Sequence, residues 1–362
     1  MKKVDVIVDL QYGSTGKGLL AGYLSESGKY DTVVSANMPN AGHTTVLADG
    51  RSWVNKAMPN GVMVSSRIMM GPGSVFNPAQ LAKEVKHLES MGLLDGKSII
   101  IHEAAGILKP EHAEAERNNL SRISSTMQGS AEALISKIRR EQGAIARDNS
   151  IVIYDALDEV GADTADVMVV NQQEWLAHLS QSDRILVEGS QGYSLGISSG
   201  FYPYCTSREC TASRVLADCN IPAKWLDKVY GVARVHPIRV GNTADGYSGD
   251  IYDDQKELSW EELGLDPEYT TVTKRVRRVF SFSHKQFYEA VLANECDEVF
   301  LNFANYDTKA ALGIIKRSEE YFDRKLITMV GLGARNDQIR PVRPFVEAVS
   351  EQLDEQEEKA RQ

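Results

Sequence analysis

Apolar residues in this chain come in short runs, and the spacing between them alternates between strand-like and helix-like periods. Val4–Leu10 is an apolar run that ends in a glycine-rich turn, as a strand buried on both faces would be. Asn77-Pro78 opens a helix, with Asn as N-cap and Pro at the first helical position. Leu81, Val85 and Leu88 form its apolar stripe, and Gly92 stops it. Ser98–Ile101 reads as the strand that follows. Further buried strands are predicted at Ile151–Tyr154, Ile185–Val187, Val229–Val235, Glu298–Phe303 and Leu326–Val330. Helical patterns lie between several of them; Lys285–Ala293 puts Phe287 and Val291 on one face. Strands alternating with helices predict an α/β chain around a mainly parallel central sheet, with ligands at the C-terminal ends of the strands. Nothing repeats and no linker divides the chain, so one large domain is expected over residues 1–350. The charged stretch Glu351–Gln362 is expected to fray into solvent.

Composition narrows the class. Of 362 residues, 42% are hydrophobic and 25% charged, which excludes a disordered chain, a collagen-like repeat and a disulfide-framework miniprotein. With 40 Lys plus Arg against 50 Asp plus Glu, the net charge is −10. Such a chain has no global field for DNA or an anionic membrane, and neither is expected as a partner. No apolar run approaches the roughly 18 residues of a membrane span, and Met1–Asp9 lacks a secretion-signal core, so a cytoplasmic protein is expected. Cys205, Cys210, Cys219 and Cys296 show no C-x-x-C spacing. Reduced thiols are the simpler reading; a zinc site from the first three is the lesser one.

Candidate chemistry begins at Gln11-Tyr12-Gly13-Ser14-Thr15-Gly16-Lys17-Gly18, directly after the first strand. Glycines let the backbone turn tightly and expose N–H groups to an anion, Lys17 adds charge, and a following helix would aim its N-terminus at the same place. The loop is not a Walker A sequence, since only Ser14 and Thr15 separate Gly13 from Gly16-Lys17, and Gly18 stands where Ser or Thr would. A phosphate site and a plain strand–helix turn both fit. Asn40-Ala41-Gly42-His43-Thr44 lies about 25 residues on. There His43 is either a loop residue without chemistry or, with an ordinary pKa near neutrality, an acid or electrophile beside a phosphate.

Taken together, these two segments resemble the adenylosuccinate synthetase family, with its G-D-E-G-K-G loop and N-A-G-H-T motif. The resemblance continues in order along most of the chain. Ser125-Thr126 stands where the family has a Thr-Thr phosphate clamp, and Glu188-Gly189-Ser190-Gln191-Gly192 is similar to E-G-A-Q-G. Tyr202-Pro203-Tyr204-Cys205-Thr206-Ser207 is similar to Y-P-Y-V-T-S, Arg239-Val240-Gly241 to R-V-G, and Thr273-Lys274-Arg275-Val276-Arg277-Arg278 to T-G-R-x-R-R.

The resemblance implies a ligase that joins a purine 6-oxo nucleotide to L-aspartate, using a nucleoside triphosphate and Mg²⁺. It implies catalytic roles for Ser14, Lys17 and His43. The triphosphate would be held by Gly13, Thr15, Gly16, Lys17, Gly18, Gly42, His43, Thr44, Asn305 and Gly333. The monophosphate nucleotide would meet Ser14, Asn40, Ser125, Thr126, Gln191, Thr206, Val240 and Arg275. Thr273, Arg275 and Arg277 would clamp aspartate, the planar guanidinium matching a carboxylate. Gly42 and Ser14 would face the metal. The family is homodimeric, with an arginine reaching across the interface; Arg147 is the candidate, and Arg139 and Arg140 compete.

Three departures from the family bear on the substrates. The loop Asp, which takes the N1 proton of inosinate, is Ser14, a weak base that leaves room for a 2-amino group. The guanine reader T-K-x-D becomes Asn302-Phe303-Ala304-Asn305, and an amide suits adenine's mixed edge better than guanine's donors. The loop Glu is Thr15 and the loop Trp is Tyr12, from which no strong inference follows. Ser14 and the lost guanine reader resemble a phage branch of the family. Its members convert dGMP and L-aspartate to N6-succino-2-amino-2′-deoxyadenylate, a diaminopurine DNA precursor, with ATP or dATP as donor.

Overall fold

The computed structural model describes residues 3–162, 166–244, 246–270 and 274–361. Its centre is a ten-stranded sheet. From one edge the strands run Ile339–Pro341, Ile327–Gly331, Glu298–Asn302, Leu226–Arg234, Lys3–Asp9 (β1), Arg184–Glu188, Thr32–Ser35 (β2), Arg67–Met70, Ser98–His102 and Asp166–Val170. Every pairing is parallel except the first, where Ile327–Gly331 meets Ile339–Pro341 antiparallel. The expected α/β class and mainly parallel sheet are therefore present.

Side-chain alternation along the strands feeds two cores. Val4, Val6 and Val8 of β1 point with Val187, Val229 and Val299 into one, while Ile7 joins Val33, Leu186 and Phe300 in the other. Helix Pro78–Ser90 forms as expected. The Asn77 side chain accepts from Gln80 N at 3.0 Å, and Leu81, Val85 and Leu88 are buried. Helix His284–Asn294 likewise buries Phe287 and Val291.

One expectation fails. Ile151–Tyr154 is not a strand but part of helix Ser150–Glu159. Ile153, Ala156 and Leu157 face the core with helical spacing, while Ile151 and Val152 are exposed; four apolar residues were too few to separate the two periods. Helix Val342–Arg361 runs through the charged stretch, whose described residues are almost all exposed. Phe345 and Val349 pack into the first core, and the pair Lys359 with Glu355 spans one turn of its exposed side. Strands Thr32–Ser35, Arg67–Met70 and Asp166–Val170 were not anticipated; the first two are only four residues long.

Beyond β1 the chain turns through the glycine-rich loop into helix Lys17–Glu26 (α1). Hairpin strand His43–Val46 (β3), paired with Ser52–Asn55, lies against that helix. Gly18 makes this approach possible, since a Cβ there would stand 2.7 Å from the Thr44 carbonyl oxygen. Gly16 caps α1 at φ 103, and a Cβ there would overlap the Asn302 amide.

Candidate active site

A cavity of about 460 Å³ opens over the C-terminal ends of the central strands. The segment Tyr12–Leu19, which runs from the loop after β1 into α1, forms one wall and Asn40–Thr44, which leads into β3, another. Ser124–Thr126, Gln191, Tyr204–Ser207, Arg239-Val240, Glu268–Thr270, Arg277, Asn302-Phe303 and Gly333-Ala334 are among the other residues that line it. Segments spread over more than 300 residues converge because each one leaves a parallel strand, or a loop beyond it, at the same end of the sheet.

The glycine-rich loop is organised by Asp9, the last residue of β1, which is fully buried. Its Oδ1 accepts from Gln11 N at 2.9 Å and from Gly13 N at 3.2 Å. Its Oδ2 accepts from Thr15 Oγ1 at 2.5 Å and from Lys17 Nζ at 3.0 Å. One carboxylate thus draws four donors into a tight turn and holds the buried Lys17 ammonium at the cavity's edge. Thr15, where the family has Glu, owes its place to this bond. Ser14 points the other way: it is exposed, lines the cavity and has φ 56. Asn302 Nδ2 donates to Thr15 O at 3.0 Å, tying the loop to the strand Glu298–Asn302.

His43 sits at the start of β3, buried beside this turn. Burial first, and then the Lys17 charge, push its pKa down to about 3, so the imidazole is neutral at pH 7. This corrects the expectation of a near-neutral value; negative phosphate oxygens in the cavity would pull it back up. Glu188 lies behind it, with its Oε2 4.0 Å from His43 Nδ1. That distance exceeds hydrogen-bond reach, and a neutral ring forms no ion pair. His43 Nδ1 has no hydrogen-bond partner among the described residues. Glu188 accepts from Asn60 N at 2.9 Å and Gly61 N at 2.7 Å. Burial nevertheless raises its pKa to about 7 against those bonds and the pull of Lys17.

Across the cavity, Gln191 Nε2 donates to Asn40 Oδ1 at 3.1 Å, and Asn40 Nδ2 donates to Thr206 Oγ1 at 3.4 Å. Three residues from separate motifs thus form one polar chain. Ser125, Thr126 and Val240 line the same space. Arg277 also lines it; burial lowers its pKa to about 10, with Glu268 opposing, so it stays cationic at neutral pH.

Most of the anticipated residues therefore meet in one place: residues 13–18, Asn40, Gly42, His43, Thr44, Ser125, Thr126, Gln191, Thr206, Val240, Arg277 and Gly333 all line the cavity. The rest do not. Asn305 is exposed and outside the lining, whereas Phe303, two residues earlier, is part of it. Arg275 is half-buried outside the lining, with its N–H bonded to Thr270 Oγ1 at 2.9 Å. Arg147 is exposed, paired with Asp148 at 3.2 Å and away from the cavity; Arg139 stands 3.8 Å from Glu141. Thr273 lies outside the described residues. All four cysteines are free; Cys205 lines the cavity and the other three are buried. Sequence reasoning missed Asp9, Glu188, Arg234 and Glu268. The first three are charges at the ends of apolar strand runs, a combination that is costly unless paired and could have flagged them.

An adenylosuccinate synthetase family model matches residues 6–150 and 147–351. The chain belongs to the adenylosuccinate synthetase family. Within that family, N6-succino-2-amino-2′-deoxyadenylate synthase of Vibrio phage phiVC8 is 50% identical over 309 residues, covering 84% of this chain and 87% of the relative. The synthase of that name from Cyanophage S-2L is 38% identical over 345 residues, covering 92% and 91%. A solved structure of Cyanophage S-2L succinoaminodeoxyadenylate synthetase (PurZ), bound to dGMP and dATP as an energy donor, matches with a TM-score of 0.84. The identity is 37%, and the match covers 96% of this chain and 99% of that one. Fully ligated adenylosuccinate synthetase from Plasmodium falciparum, at 20% identity and a TM-score of 0.73, shares the fold. Among the described residues no helix is long and apolar enough to cross a membrane.

Proposed function

We propose that this adenylosuccinate synthetase family member condenses dGMP with L-aspartate to N6-succino-2-amino-2′-deoxyadenylate, with ATP or dATP as donor. The observation that carries the reading is Ser14, which faces the open cavity where the family places a carboxylate. The named relatives and the dGMP-bound neighbour support it.

The chemistry has two steps. The guanine 6-oxygen attacks the γ-phosphorus as the N1 proton is lost to solvent, and the nucleoside diphosphate leaves. The aspartate amine, as the free base, then attacks C6, expels phosphate and gives up one proton to it, giving the succinylamino purine. Phosphorylation turns a poor oxygen leaving group into a good one, and the transfer needs charge neutralisation more than covalent help. Lys17 and the N–H groups of residues 14–18 supply it to the triphosphate, with Gly13, Gly42, Thr44 and Gly333 at its edges. His43 donates one hydrogen bond to a phosphoryl oxygen. The Gln191–Asn40–Thr206 chain, Ser125 and Thr126 hold the dGMP phosphate side, with Val240 and Arg275 near the sugar. Arg277, with Arg275 and Thr273, binds the aspartate carboxylates. Asn305 reads the adenine edge only if its loop turns inward. A homodimer would bring the partner's arginine to the dGMP phosphate.

Mg²⁺ fits the oxygens on offer. Asp9 is fully committed to the loop, and no trio of acidic, His or Cys side chains forms a cage among the described residues. The Ser14 hydroxyl and Gly42 carbonyl are hard donors at the cavity wall that suit a cation carried mainly by phosphate oxygens. Bound there, it neutralises charge on the transferred phosphoryl group.

Ser14→Asp tests the reading. Aspartate tolerates a left-handed backbone, so the fold should accept it. Its extra bulk falls where the 2-amino group needs space. We expect kcat/KM for dGMP to fall by about one to two decades, as for an overpacked site. Turnover of inosinate, which lacks that amine and whose N1 proton the new carboxylate could take, should rise. Steady-state kinetics with each purine, ATP, L-aspartate and Mg²⁺ check this. An unchanged dGMP-to-inosinate preference would remove Ser14 as the purine selector.

A further inference from the structure

Arg234, at the end of strand Leu226–Arg234, is wholly buried and does not itself line the cavity. Its backbone is locked to the start of the glycine-rich loop. Arg234 N donates to Gln11 Oε1 at 2.9 Å, and Gln11 Nε2 donates to Arg234 O at 3.1 Å. The guanidinium forks onto Glu268, Nη2 to Oε1 at 2.5 Å and Nη1 to Oε2 at 3.2 Å. The same Nη1 donates to the Ser14 carbonyl at 3.2 Å. The guanidinium carbon stands 3.9 Å from the centre of the Phe303 ring.

One buried charge therefore touches three walls of the cavity. Ser14 belongs to the loop, Phe303 follows strand Glu298–Asn302, and Glu268 accepts through its carbonyl from Arg277 N at 2.8 Å. Ser14 and Phe303 both hold left-handed backbones, with φ 56 and 57, which non-glycine residues keep only where their surroundings hold them. The Arg234 contacts are such surroundings: a hydrogen bond to the Ser14 peptide and a cation on the Phe303 face.

We propose that Arg234 is the positioning residue that fixes Ser14 at the purine edge, and so sets the choice between purines without touching substrate. The proposal rests on the reading of Ser14 given above. Its physics is the fork. A lysine has one compact charge; it cannot reach both Glu268 oxygens and the Ser14 carbonyl while stacking on Phe303. Without that hold the Ser14 peptide is free to leave the left-handed region, and its hydroxyl leaves the purine edge.

The test offers the full chain an equimolar mixture of dGMP and inosinate with ATP, L-aspartate and Mg²⁺, and reads the ratio of the two products. Arg234→Lys is expected to bring that ratio about tenfold closer to unity, whichever purine the wild type favours, the scale of one charge-assisted hydrogen bond. The KM for the preferred purine should rise by more than kcat falls. Glu268→Gln keeps the shape and weakens the fork, and should move the ratio the same way by a smaller factor. It decides the matter if Arg234→Lys does not fold. A ratio that stays at the wild-type value in the folded variants overturns the proposal, because a purely structural arginine would change stability and leave purine choice alone. A wild type that prefers inosinate overturns the reading of Ser14; the shift of the ratio toward unity still tests Arg234.

Discussion

His43→Asn is expected to lower kcat about 10²–10⁴-fold, the usual contribution of a positioned proton-transfer or hydrogen-bonding group. KM for both nucleotides should change little. The imidazole lies against the turn that holds Lys17, and α1 and β3 place the two side by side through the close approach at Gly18. Burial and the Lys17 charge push its pKa down to about 3 before the triphosphate arrives, and the ring is a hydrogen-bond donor available to a phosphoryl oxygen as charge builds there. Asparagine offers an amide donor from a shorter side chain that cannot reach the same point. Rapid-quench measurement of the phosphoryl-transfer step would separate this from slower product release. A kcat within a factor of three of wild type would leave His43 a loop residue without chemistry.

Asp9→Ala is expected to cost about 3–5 kcal/mol of stability, the scale of removing one partner of a buried ion pair. The substitution strands the Lys17 ammonium, the Gln11 and Gly13 N–H groups and the Thr15 hydroxyl together. Triphosphate should restore part of the loss, because its phosphates replace the missing negative charge next to Lys17. Urea unfolding with and without ATP and Mg²⁺ measures both effects. Asp9→Asn keeps an acceptor for the two backbone donors but presents an amide to Lys17, so it should recover only part of the stability. A variant Asp9→Ala as stable as wild type would show that the loop holds its shape without this carboxylate.

How far the sequence reached follows from how local each signal was. The loop at residues 13–18 could be read because glycines and a lysine directly after a buried strand suit a phosphate, and the second motif at Asn40–Thr44 favoured that use over a plain turn. The helix from Pro78 could be read because its cap, its first residue and its apolar stripe agree. Ile151–Tyr154 misled because four apolar residues contain no period. The support behind the site is non-local: Arg234 meets Ser14 across 220 positions, and Asn302 meets Thr15 across 287. Nothing in the neighbourhood of either residue points to its partner. The aligned place of Asn305 suggested a base reader, yet the chain turns left-handed at Phe303 and presents that ring to the cavity instead.

The central claim is that the 6-oxygen of dGMP is phosphorylated and then replaced by the aspartate nitrogen. The most direct measurement supplies dGMP carrying ¹⁸O at the 6-position with ATP, L-aspartate and Mg²⁺, and follows both products by mass spectrometry. N6-succino-2-amino-2′-deoxyadenylate should form without the label, and the label should appear in inorganic phosphate in equal amount. The account is contradicted if dGMP is returned unchanged with its ¹⁸O in place while inosinate, under the same conditions, is converted.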